Sequence, residues 1–156
     1  MNKLKILIFI IVLGVIVFLV VKNFYGKEFQ SNGERIYFTS TSNSSKPITA
    51  SIGNMTLGGG AVSCARCHGE DGKGMSGMFM MWKFEAPDIR YSTLTETGHG
   101  GHGTHEESEK PYTDELIKRA ILQGLDPEGK HLEPPMPQFN MPESDLNDLI
   151  EYLKTI

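Results

Sequence analysis

Cys64-Ala65-Arg66-Cys67-His68-Gly69-Glu70-Asp71-Gly72-Lys73-Gly74 is the stretch from which the rest of the chain is read. A C-x-x-C-H run is the attachment signature of a c-type haem. Two thiols three positions apart at the start of a helical turn can each form a thioether to the porphyrin edge, and the adjacent His68 then lies beneath the iron. Cys64 and Cys67 are the two cysteines of the chain, so there is no disulfide framework, and a zinc site built on Cys pairs is hard to assemble. The competing reading is a dithiol redox pair, which has no use for the histidine that follows.

Around the motif the sequence alternates between turns and short periodic segments. Gly33 to Phe38 reads as a brief helix with Ile36 and Tyr37 turned inward, and Thr39 to Lys46 as a mobile surface loop. Pro47 to Ile52 alternates apolar and polar residues, Gly53-Asn54 is a hairpin-type dipeptide, and Met55-Thr56-Leu57 reads as a returning strand. Gly58-Gly59-Gly60 leads into the Cys pair, where glycines let the backbone approach a flat cofactor closely. Gly69 to Gly74 is too rich in glycine for a helix interior. A helix is expected from Thr113, its N-cap, to a stop at Gly124, with Leu116, Ile117, Ala120 and Ile121 as its apolar stripe. The last helix starts near Pro142 and carries Leu146, Leu149, Ile150 and Leu153 at helical spacing.

A six-coordinate haem iron needs a second axial ligand, and His/Met pairing raises the potential of electron-transfer sites. Eight methionines compete. Met75, Met78, Met80 and Met81 follow His68 so closely that the chain has little length to reach the opposite porphyrin face; they read better as apolar crevice lining than as a thioether copper site. Met136 lies in Pro134-Pro135-Met136-Pro137, where prolines stiffen an extended loop and hold a thioether with little residual entropy. It is the expected partner of His68 on the iron, with Met141 as runner-up. Arg66, Trp82 and Arg90 are candidate partners for haem propionates. His99, His102 and His105, spaced in a glycine-rich loop, read first as solvated, then as a divalent-metal site, and last as a ligand to the iron; His131 reads as a surface residue.

The N-terminus adds a membrane element. Ile6 to Val21 is an uninterrupted apolar run approaching bilayer length, preceded by Lys3 and Lys5, and no small-residue cleavage site follows at Lys22-Asn23-Phe24-Tyr25. The expected organisation is a single transmembrane helix over residues 1–22, a tether over 23–32, and a haem domain over 33–156 outside the cytoplasm, where bacterial haem attachment takes place. Beyond Val21 there are 13 Lys and Arg against 19 Asp and Glu, a formal −6, which argues against nucleic acid as a partner. The whole chain has 156 residues, enough for one domain and an appendage.

Taken together, Cys64 to Gly74, Ala86-Pro87-Asp88-Ile89, Tyr112 to Pro137 and the closing helix make the chain resemble a single-haem class I cytochrome c. The resemblance implies an all-α fold around one covalent haem c, here with an inserted loop or small β-hairpin. It implies first and last helices packed through Gly33, Tyr37, Leu149 and Tyr152, and a Pro87 carbonyl that accepts a hydrogen bond from His68. The insertions at Thr39 to Gly60 and Gly98 to Lys110 depart from the smallest members of the family. The function expected is single-electron carriage between membrane-associated and extracytoplasmic redox proteins, with no catalytic residues and no small-molecule substrate. The alternatives are a haem subunit of a larger oxidoreductase, and a haem-based ligand sensor or peroxidase.

Overall fold

A computed structural model of the chain describes residues 8–17, 28–79, 81–96 and 110–156. These residues form six helices and five strands. Helix α1 covers residues 8–17, an exposed apolar segment within the run expected to cross a membrane; no described helix is long and apolar enough to do so.

Helix α2 (Asn32–Thr39) starts where Ser31 turns extended and its hydroxyl accepts the amide of Glu34 at 3.0 Å, while the Glu34 carboxylate accepts the amide of Gln30 at 2.6 Å. Helix α6 (Glu143–Leu153) follows Pro142, which stands at the N-cap rather than inside the first turn. The two helices cross where Gly33 has no side chain: a Cβ there would lie 1.9 Å from the Asp148 carbonyl oxygen and 2.8 Å from the Tyr152 Cβ. Tyr37 is fully buried at this crossing, its ring 5.2 Å from that of Tyr152, and Leu146, Leu149, Ile150 and Leu153 complete the buried face of α6. Helix α5 (Asp114–Gln123) is capped by the Thr113 hydroxyl on the Leu116 amide and stops at Gly124, burying Ile117, Ala120 and Ile121.

The helical framework accounts for part of the architecture only, since short sheets accompany it. The hairpin expected around Gly53-Asn54 is present as β1 (Thr49–Ile52) and β2 (Met55–Gly58). Its third strand, β5 (Gln138–Asn140), was not expected; it pairs antiparallel with the free edge of β1. The methionine-rich segment expected to line a crevice carries a second hairpin, β3 (Met75–Phe79) with β4 (Trp82–Ala86), and Met80 lies outside the described residues. In it Phe79 is buried, whereas Met75, Met78 and Met81 are exposed.

The loop between α2 and β1 is not the free segment expected of a Ser/Thr-rich stretch. Ser42 and Ser44 donate to the carboxylate of Asp145 at 2.8 and 2.9 Å, Asn32 donates to it at 3.1 Å, and Asp145 is 2% exposed. The loop is thereby fastened to the first turn of α6.

Candidate haem site

The Cys pair lies on helix α3 (Cys64–His68), a single turn that begins after an extended Ser63 and ends where the Gly69 amide bonds the Ala65 carbonyl at 3.0 Å. Spacing of i and i+3 puts both thiols on one side of that turn. Burial pushes the Cys64 thiol up to about 12 and raises that of Cys67, for which Arg66 offsets part of the effect. Dithiol redox centres require the opposite, a thiolate stabilised by its surroundings. This environment is poor for thiol–disulfide exchange.

His68 closes the turn and is 7% exposed. Its Nδ1 lies 2.9 Å from the carbonyl oxygen of Pro87. With Nδ1 donating to that carbonyl, Nε2 is left as the nitrogen with a free lone pair. Burial lowers the pKa of the ring and outweighs the opposing effect of the Pro87 bond, so the imidazole is held in the neutral form a metal requires.

Placing Pro87 beside His68 depends on Gly74. Its φ of +85° lies in the left-handed region, and a Cβ there would sit 2.2 Å from the Ala86 carbonyl oxygen and 2.8 Å from that of Pro87. The Gly74 amide donates to the His68 carbonyl at 2.8 Å, and the Ile89 amide donates to the Gly72 carbonyl at 2.7 Å. The glycine-rich turn and the Pro87 segment thus grip each other on both sides of the imidazole. From the other direction, the Tyr37 hydroxyl donates to the Gly69 carbonyl at 2.7 Å, which links the α2–α6 crossing to the end of α3. Gly74 and the Tyr37 hydroxyl were not identifiable as site-builders from sequence, because neither the close approach of Pro87 nor the direction of a phenol is written in a local pattern.

The other candidates differ in their surroundings. Met136 is half-buried in the loop between α5 and β5, its amide on the Glu133 carbonyl at 3.1 Å, after a cis bond between Pro134 and Pro135. Met141 packs against the core beside Leu122 and Leu146, in a cleft between α5 and α6. Arg90 forms a fork onto Asp88, with Nε 3.0 Å from Oδ2, and Arg66 lies over the Phe79 ring at 5.4 Å. His131 is exposed. The side chain of Trp82 and the histidines at 99, 102 and 105 lie outside the described residues. Among the described residues no cluster of three or more His, Cys, Asp or Glu side chains suits a metal ion. The donor set at α3, two thiols one turn apart and a buried neutral imidazole with one nitrogen free, fits a covalently attached haem and its iron.

A family model described as Cytochrome c matches residues 60–156. No curated protein and no solved structure gives a match.

Proposed function

The chain belongs to the cytochrome c family, whose members bind haem c and carry electrons, and on that premise we propose that it is a single-haem electron carrier with His68 and Met136 as axial ligands. The observation that carries the reading is the His68 Nδ1 contact with the Pro87 carbonyl, because it fixes the tautomer and ring plane that an iron ligand needs. The haem, when bound, supplies a one-electron ferrous/ferric couple. The protein would hold it through thioethers from Cys64 and Cys67, with His68 and Met136 as ligands to the iron. Gly74 and Pro87 keep the imidazole from turning, so little reorganisation accompanies a change of charge. Support for Met136 over Met141 comes from their surroundings, since Met141 packs against the core where it lines the cleft between α5 and α6, while Met136 is carried by a proline-stiffened loop.

The test compares two substitutions. Met136→Ala should remove the sulfur-to-iron charge-transfer band of the oxidised protein, lower the reduction potential and admit small ligands to the iron, whereas Met141→Ala should do none of these. The reverse outcome transfers the ligand assignment to Met141. A band unchanged in both points to another methionine as the ligand, whereas a wild-type protein without the band favours a ligand sensor or peroxidase.

The same reading places the haem domain outside the cytoplasm, held to the membrane by the run Ile6 to Val21 and exchanging electrons with protein partners rather than with small molecules or nucleic acid. Intact-mass measurement of the membrane fraction should return a chain that retains its first 21 residues plus one haem. A mature chain beginning near Lys22 removes the anchor from the proposal.

A further inference from the structure

The inserted hairpin is built into the part of the chain that carries Met136. Strand β1 lies between β2 and β5, with Thr49 opposite Asn140, Ala50 opposite Phe139 and Ser51 opposite Gln138. In a hairpin closed by a two-residue turn, the residues flanking the turn bond each other and the bonded pairs then alternate. Ile52 therefore bonds Met55, and Ala50 bonds Leu57. That leaves the backbone groups of Thr49 and Ser51 directed at the opposite edge, toward Asn140 and Gln138. Gln138 is two residues beyond Met136, across the buried Pro137, and its side-chain amide also donates to the Gln123 carbonyl at 3.0 Å. Ala50 and Phe139 are 3% and 6% exposed, so a one-residue slip would turn both out of the core and the register is fixed.

We propose that the hairpin Thr49–Gly58 is the positioning element for Met136, its ladder to β5 holding the loop that carries the thioether and so governing how readily that side of the iron opens to small ligands. This rests on the assignment of Met136 as axial ligand. The hairpin acts through the backbone of β5.

The experiment uses the full-length, haem-loaded protein. Gly53→Val strains only the hairpin turn, because Gly53 has a φ of +56° and an added Cβ there meets nothing within 4 Å. Ser51→Pro removes the amide that faces Gln138. Leu153→Ala, buried on α6 at 3% exposure, lowers stability away from the hairpin, and Met136→Ala reports the ligand itself. The readouts are imidazole titration of the ferric protein and hydrogen exchange at the Gln138 and Asn140 amides.

Both hairpin variants should raise imidazole affinity about tenfold, equivalent to about 1.4 kcal/mol, and speed exchange at those amides, with Leu153→Ala changing neither. Wild-type affinity in the hairpin variants alongside raised affinity in Met136→Ala overturns the positioning role and leaves the ligand standing. An inert Met136→Ala overturns both. A rise in Leu153→Ala as large as in the hairpin variants means that stability alone is being read, and the proposal fails. Should Ser51→Pro not fold, Gly53→Val decides.

Discussion

Gly33 shows how much of this molecule turns on atoms that are missing. The helix crossing that joins α2 to α6 brings the Asp148 carbonyl to where a Cβ would be, and the neighbour is backbone on a rigid helix, unable to yield as a flexible side chain could. Gly33→Ala must therefore push the helices apart, and we expect a loss of about 3 kcal/mol, the upper range for overpacking. A urea midpoint unchanged from wild type would contradict that packing. At this scale the sequence was legible wherever chemistry is written in residue type: Cys64, Cys67 and His68 announce themselves by spacing. It was less so where the role depends on what comes near in space. Gly74 is one glycine among several in its turn, and only the approach of Pro87 singles it out.

Elements were readable where a local signal starts and stops them. Thr113 and Gly124 delimit α5, and Gly53-Asn54 closes the first hairpin as expected. Strands whose existence depends on a distant partner were not, because β5 is three residues long and has no period of its own; it is a strand only since β1 offers an edge. The loop from Thr41 to Lys46 follows the same logic. Its serines looked like solvent-facing residues until α6 placed Asp145 among them. Near the N-terminus of α6 the carboxylate is also favoured by the helix dipole. Asp145→Ala would remove the buried acceptor that Asn32, Ser42 and Ser44 share and so release the loop from α6, and we expect a loss of about 2 kcal/mol. Asp145→Asn, which keeps one acceptor oxygen, should lose less. Thermal unfolding of the two variants checks this, and equal loss in both would mean that the side chain's volume matters and its hydrogen bonds do not.

Across the whole molecule, charge ties the last helix to the segment beyond Pro87. Asp114 accepts the Tyr91 hydroxyl at 2.7 Å and the Lys154 ammonium at 2.9 Å, joining the short helix α4 (Tyr91–Thr95), α5 and the C-terminal end of α6. The hydrogen bond from Lys154, then that from Tyr91, hold the Asp114 carboxyl below its ordinary value; Glu151, then Asp114, raise Lys154, and Asp114 raises Tyr91. A carboxyl depressed in the folded state contributes stability above its unfolded value of about 3.9, and this is lost as pH falls through the folded one. For Tyr91 and Lys154 the sign is reversed: their contributions are present below unfolded values of about 10 and about 10.4 and fade as pH rises through the folded ones. Asp71, bonded by Lys73, adds to the acid limb. So does Asp88, where burial works upward but the bonds from Arg90 prevail. The contribution of these groups should therefore be flat between about pH 5 and about pH 9 and fall on either side. These groups are partly or fully exposed, so added salt should shrink the effect. Asp114→Asn should lower the urea midpoint at about pH 7 more than at about pH 3, where the wild-type carboxyl is largely protonated and its extra contribution much reduced. A midpoint lowered equally at both pH values would show that the Tyr91–Asp114–Lys154 link acts through shape rather than charge.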